Sequence, residues 1–137
     1  MKLNLREIEV FKPYANELPE QILADEGMSD TEIDRWLEAP ILRIAKREED
    51  TLGVYALQQV NDHNFELFGV IVKPPVRRQG LGRWLIGHAI GVAESKGGRH
   101  IWISHPGSTR SFSHIGFQPT TELEGRARAL QFDMIQE

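Results

Sequence analysis

The sequence predicts an α+β fold, a mixed sheet with helices on its faces, and three observations lead there. After Pro40 the chain carries three apolar, β-branched runs in succession, "ILRIAKRE", "LGVYALQQV" and "FELFGVIV", which read as a meander. From Gly82 to Lys96 the apolar residues fall at helical spacing instead. The short run "HIWIS" then follows, so a strand, helix, strand crossover is appended to the meander.

Taken in order, "LNLREIEVF" reads as a first strand, with Leu3, Leu5, Ile8 and Val10 apolar. Two helical segments are expected at Tyr14 to Asp25 and Asp30 to Leu37, joined by the glycine-containing "ADEGMSD". Ser29 or Asp30 is the N-cap of the second, and Ile33, Trp36 and Leu37 are its apolar positions. "EDT" and "NDHN" separate the three meander strands, and Gly69 within the third marks a bulge or a close approach. Pro74 and Pro75 end that strand. In the long helix Leu85, Ile86, Ala89, Ile90, Val92 and Ala93 form the apolar face, and "KGG" ends it. "STRSFSHIG" suits a short helix and "RALQFDMI" a last strand.

At 137 residues the chain suits one domain, residues 1–137, with one substantial core. With 40% hydrophobic and 26% charged residues it has a globular composition, and with no cysteine it excludes disulfides, thiolate nucleophiles and thiolate metal sites. The opening "MKLNLREIEVFK" lacks the apolar run of a signal peptide, and no run reaches membrane-spanning length, so a cytoplasmic protein without membrane contact is expected.

Charge is unevenly distributed. Glu17 to Glu38 holds eight acidic residues against Arg35 alone, a balance of −7. Glu66 to Arg110 holds seven basic against two acidic, a balance of +5, within a chain of net charge −4. The basic residues Lys73, Arg77, Arg78 and Arg83 stand beside Gly80 and Gly82, where a strand gives way to a helix. Uncapped N–H groups at such a helix start, with the helix dipole behind them, suit a phosphate or pyrophosphate. A plain structural turn is the competing reading. "GLGRWL" lacks the third glycine of a dinucleotide fingerprint and the Gly-Lys-Ser/Thr of a P-loop. Nucleic-acid binding is disfavoured by the acidic total and by the lack of an aromatic stripe with basic neighbours.

"FELFGVIVKPPVRRQGLGRWL" resembles the central motif of the GNAT superfamily of N-acetyltransferases, with Val72, Pro74, Arg77, Gly80 and Gly82 at the family spacing and a closing "GF" at Gly116 and Phe117. The resemblance implies a mixed, mostly antiparallel sheet of about six to seven strands between helical layers, three-layer α/β/α. It implies acetyl-CoA as acetyl donor. Its pyrophosphate would lie on the backbone of Arg78, Gln79, Gly80, Leu81, Gly82 and Arg83, beside Arg77, and its pantetheine along Val70, Ile71 and Val72. It also implies direct attack by a primary amine of a small molecule or peptide. Glu66 stands where many relatives have a glutamate that serves as base, and a glutamate pointing to solvent from the other face is the competing reading. His105 takes the place of an asparagine near the pantetheine, as a hydrogen-bonding or proton-shuttling group. Phe112 stands where relatives often carry the tyrosine acid; as a cofactor contact phenylalanine packs against acetyl-CoA but has no proton to donate.

The same resemblance sets the acceptor wall on the acidic segment, with Asp25, Glu26, Asp30 and Trp36 as candidate substrate contacts and a cationic amine as the favoured acceptor. A core position is the competing reading for Trp36. Neither a metal nor nucleic acid is expected, and a homodimer is compatible with the family. The alternative function is a non-catalytic acyl-CoA sensor that works through a protein partner.

Overall fold

The computed structural model describes residues 3–103 in full and the backbone of residues 118–120 and 129–133. Seven strands form one sheet in the order β1-β2-β3-β4-β5-β7-β6, where β1 is Glu9–Phe11, β2 Ile41–Arg47, β3 Asp50–Gln59, β4 Asn64–Val72, β5 His100–Ile103, β6 Gln118–Thr120 and β7 Ala129–Asp133. Only the β4–β5 pair is parallel, and every other neighbouring pair is antiparallel. The helices are α1 (Glu20–Asp25), α2 (Asp30–Leu37) and α3 (Leu81–Ser95). Alternation along the central strands feeds two cores, one per face. Tyr55, Leu57, Phe65 and Leu67 pack on Leu81, Leu85, Ile86 and Ala89 of α3. Val54, Ala56 and Phe68 pack on Ile22 and Leu23 of α1 and Trp36 of α2.

The N-terminal region differs from the sequence reading. Leu5–Glu7 forms a 3₁₀ turn, with the Asn4 side chain accepting from Arg6 N, and only Glu9–Phe11 pairs as strand. The two charged residues in the middle of "LNLREIEVF" broke the period-2 alternation that a half-buried strand needs. The expected helix from Tyr14 to Asp25 is likewise split into a 3₁₀ turn at Ala15–Glu17 and α1. Pro19 explains the break, because it disfavours helical backbone at Leu18 and is itself accommodated at a helix start. The second helix spans Asp30–Leu37 as read, with Ser29 Oγ accepting from Glu32 N as its cap.

Two backbone devices position the site. Helix α3 closes on Gly97 in the left-handed region, with Gly97 N donating to Glu94 O and Gly98 N to Ala93 O, a Schellman ending. Arg99 N and His100 N then both donate to His63 O, which starts β5 in parallel beside the first residue of β4. The second device is a bulge. Leu57 of β3 faces Leu67, but Ala56 faces Gly69, so Phe68 is an extra residue in β4. Phe68 belongs to the α2-side core, while a Cβ on Gly69 would meet Trp36 Cζ2 at 3.2 Å. Consecutive residues therefore face the same layer, and Gly69 is both the bulge and the close approach.

Candidate functional site

Past the bulge, β4 is paired on one side only. Its parallel register with β5 runs from Asn64↔His100 to Leu67↔Ile103, so among the described residues Phe68 to Val72 has β3 on one edge and no strand on the other. Lys73 N donates to Leu52 O across the β3 ladder. By antiparallel alternation Ile71 then bonds toward β3, while the main-chain groups of Val70 and Val72 face the open side. Val72 O confirms that direction, because it accepts Arg77 Nε at 2.8 Å. The free edge thus offers Val70 N–H and C=O and Val72 N–H. Ile71, which the sequence reading grouped with them, turns its main chain the other way and its side chain toward the α1–α2 core.

This edge runs into the glycine loop. Pro74–Val76 makes a 3₁₀ turn with Val76 buried as its anchor, and the chain reaches α3 through left-handed backbone at Arg78 (φ 64°) and Gly80 (φ 90°). Gly80 suits that conformation for want of a Cβ. Among the described residues no side chain caps the N-terminus of α3, so its first-turn N–H groups at Leu81, Gly82 and Arg83 are offered outward from the helix start. Among the described residues a Cβ on Gly82 would meet only Val72 Cγ2, at 3.6 Å. Packing among those residues does not demand the glycine, and its bareness keeps space open beside the N–H groups. The fit to a pyrophosphate is good in both donor set and clearance.

Two loop side chains also have partners within the protein. The Gln79 side-chain oxygen accepts Leu3 N at 2.6 Å and so fastens the N-terminal segment to the loop. Arg77, besides holding Val72 O, forms an ion pair with Glu26 at the end of α1. Its guanidinium is committed to protein partners, and Glu26, expected on the acceptor wall, is joined to the loop. Arg78 and Arg83 are exposed and Lys73 is half-buried, which leaves them as the basic side chains around the helix start.

On the α2 side of the bulge lies a cleft of about 520 Å³, lined among others by Asp34, Arg35, Glu38, Gln58 and Phe68. Behind it stands Glu66, a buried charged residue with only 2% exposure. Its direction follows from β4 alternation. Phe65 and Leu67 take the α3 face, which sends Glu66 to the α2 face with Phe68. The carboxylate accepts Gln58 Nε2 at 2.8 Å, from the residue opposite it on β3, and Arg35 Nη2 at 3.3 Å. Arg35 also lies 3.8 Å from the Phe68 ring centroid, and Trp36 meets that ring edge-on at 6.2 Å between centroids. The solvent-pointing reading of Glu66 is thereby overturned. A buried carboxylate needs such partners, since removing charge from water costs several kcal/mol per ion, roughly, without them.

The remaining candidates separate. Trp36 is 5% exposed and belongs to the core under the cleft, supporting Phe68 and Gly69 rather than opening to solvent. Asp30 lines a second groove, between α1 and α2, with Glu20 and Asp34. Asp25 accepts Gln21 Nε2 at 2.7 Å on the exposed side of α1. His105, Phe112, Gly116 and Phe117 lie outside the described residues. Among the described residues no cluster of metal-ligating side chains occurs, and no helix is long and apolar enough to cross a membrane. Sequence reading missed Arg35, Gln58 and Phe68. The one signal available was that Arg35 is the sole cation in the acidic segment.

A parallel strand pair that separates beside a bulge, with the longer strand feeding a glycine-opened helix start, defines an α/β/α fold with main-chain groups exposed at the strand end. The chain belongs to the GNAT acetyltransferase family, whose model matches residues 6–117. It is 29% identical over 84 residues to the [ribosomal protein bS18]-alanine N-acetyltransferase of Salmonella typhimurium, covering 58% of this chain and 57% of that protein. The Escherichia coli K12 protein of the same description is 31% identical over 74 residues, covering 51% and 50%. The chain thus spans about half the length of the curated relatives it matches. Among solved structures, a GNAT family acetyltransferase from Elizabethkingia anophelis with acetyl-CoA bound superposes with a TM-score of 0.79 at 20% identity, over 93% of this chain and 99% of that one. An aminoglycoside 6'-N-acetyltransferase complexed with coenzyme A superposes with a TM-score of 0.75 at 13% identity, over 94% and 98%.

Proposed function

We propose that the protein transfers an acetyl group from acetyl-CoA to a primary amine of a small molecule or peptide, in the cytoplasm. One observation carries this reading: the free main-chain edge at Val70 and Val72 leads directly to the uncapped helix start at Gly80 to Gly82. A ligand that is amide-bearing along one part and doubly phosphorylated further on matches that order of groups. Relatives that are acetyltransferases, and neighbours crystallised with acetyl-CoA or coenzyme A, support it.

In this reading Val70 and Val72 hold the pantetheine as an added strand, and the N–H groups from Arg78 to Arg83 hold the pyrophosphate, with Arg78, Arg83 and Lys73 screening charge. Bound acetyl-CoA supplies a thioester carbonyl for attack. The chain's own tasks are to strip the amine of its proton, to polarise the carbonyl oxygen through a main-chain N–H near Val72, and to admit a cationic acceptor. Glu66 is the base, acting directly or through one water, from behind the cleft. The acidic residues Asp34 and Glu38 at the cleft, with Asp30 nearby on α2, attract a protonated amine. The curated relatives' acceptor, an alanine of a ribosomal protein, makes a protein α-amine one acceptor to test beside small polyamines. His105 remains assigned to the pantetheine side.

Calorimetric titration with acetyl-CoA, followed by thiol-release assays over an amine and peptide panel, tests the reading. Binding with turnover of some amine is expected, and absence of acetyl-CoA binding would sink it. Phe112 favours the second reading, an acyl-CoA sensor acting through a protein partner. Tight acetyl-CoA binding with silence across the panel and a co-purifying partner is its signature.

A further inference from the structure

We infer that Arg35 is an internal stand-in for the acceptor's cation, occupying the place over Phe68 and against Glu66 that an incoming ammonium group must take. The inference rests on the acetyltransferase reading and names the feature of the same site that selects its acceptor. Arg35 and Gln58 both line the cleft, and both donate to Glu66, which does not line it. The carboxylate is therefore screened from the cleft by these two side chains.

The two screens are unequal. Gln58 holds Glu66 at 2.8 Å from the adjacent strand, in register. Arg35 reaches it at 3.3 Å, longer than the roughly 2.7–2.9 Å of a well-formed charge-assisted bond, and its side chain is 47% exposed. A long, half-exposed arginine on a surface helix can swing into water and be rehydrated there, whereas the buried carboxylate cannot. What Arg35 leaves behind is a cation site with three components: the face of Phe68, the Glu66 carboxylate, and Asp34 and Glu38 at the rim. An ammonium or guanidinium head satisfies all three, and a neutral or anionic acceptor would have to displace Arg35 without replacing its charge. The amine that enters also meets its base at the point of entry, because its N–H⁺ takes the bond Arg35 has given up. One proton passes to Glu66, the freed nitrogen lone pair forms the bond to the acetyl carbon as the carbon–sulfur bond breaks, and the second proton lost from nitrogen passes, directly or through water, to the departing thiolate.

The test is a titration of the wild-type protein with butylammonium, following the Arg35 guanidinium by NMR and measuring acetyl-CoA affinity separately. Displacement of the Arg35 signal to that of a solvated guanidinium is expected. Arg35→Ala should bind butylammonium about tenfold more tightly if the closed arrangement is roughly 90% populated. Its KM for a cationic amine should fall, its affinity for acetyl-CoA should not change, and Arg35→Ala with Glu66→Gln should lose the gain. An Arg35 signal unmoved at saturating amine overturns the inference even if the alanine variant fails to fold. So does a loss of kcat in Arg35→Ala that Arg35→Lys restores, since Arg35 would then be a positioning residue for Glu66. Acetyl transfer with an unmoved Arg35 refutes this inference alone. Displacement of Arg35 in a protein that does not bind acetyl-CoA refutes the acetyltransferase reading alone.

Discussion

The glycine loop and the cleft over Phe68 sit at opposite sides of one bulge, yet they are made of different material. In the proposed donor site at the loop the recognising groups are main-chain amides on β4 and at the start of α3, and the side chains matter chiefly by being small or absent. At the cleft the groups are the side chains of Arg35, Gln58, Glu66 and Phe68, drawn from three elements. A main-chain site tolerates much substitution but little added bulk, while a side-chain site can be retuned by one replacement. A single replacement is accordingly expected to alter the cleft more readily than the donor side.

The sharpest separation comes from Gly82→Trp. With only Val72 Cγ2 near the added Cβ, the fold should persist by circular dichroism. Acetyl-CoA affinity should fall by about 100-fold or more, near 2.8 kcal/mol, and retained affinity would remove the pyrophosphate from this loop. Glu66→Gln should do the converse, lowering kcat by about 10² to 10⁴ while leaving acetyl-CoA binding intact. Thiol release at saturating amine measures it, and an unchanged kcat would dismiss Glu66 as base. Gly69→Val strikes the boundary between the regions. Its new atoms crowd Trp36, so thermal unfolding should register a loss of about 1–3 kcal/mol. The functional part of that damage should fall on the amine KM rather than on acetyl-CoA affinity.

Smaller effects are expected away from the recognising groups themselves. Tyr55 hydroxyl and His88 Nδ1 lie 2.7 Å apart in the opposite core. Burial, and then the charge of Arg43, hold the His88 pKa below its ordinary 6.5, while burial raises that of Tyr55. A histidine with a depressed native pKa binds fewer protons folded than unfolded around that pH. Its contribution to stability is therefore complete above about 6.5 and is lost as pH falls through the native value. Denaturant midpoints at pH 7.5, 6 and 5 should show that decline, and His88→Gln should flatten it. Tyr55→Phe should cost about 0.5–1.5 kcal/mol through the lost hydrogen bond, visible in the same melts. The smallest change is expected from Glu26→Gln, which weakens a largely exposed ion pair worth about 0–1 kcal/mol. A two- to threefold rise in the Kd for acetyl-CoA, set by about that energy, would be its full effect, because Arg77 keeps its bond to Val72 O.

The difference in material also explains what could be read from the sequence. Strand, proline stop and glycine loop leave a local record from Phe65 to Gly82, since the backbone conformations they impose demand particular residues nearby. α2 was legible to the residue through Ser29 and its apolar spacing. The cleft left no such record. Arg35 and Glu66 are 31 positions apart and Glu26 and Arg77 are 51 apart, and nothing local in either segment announces the partner. The face taken by Glu66 depends on the phase of β4, and the first strand and first helix failed where mid-run charges and Pro19 overrode simple periodicity.

The bulge at Phe68 and Gly69 has a consequence for how this chain can change through time. Because Phe68 is the extra residue, removing it would leave a regular ladder, with Leu67 still opposite Leu57 and Gly69 still opposite Ala56; Val70 and Val72 would stay at the open edge, while the ring beneath Arg35 would be gone. A single-codon deletion at this place should therefore cost a lineage its acceptor before it costs the donor.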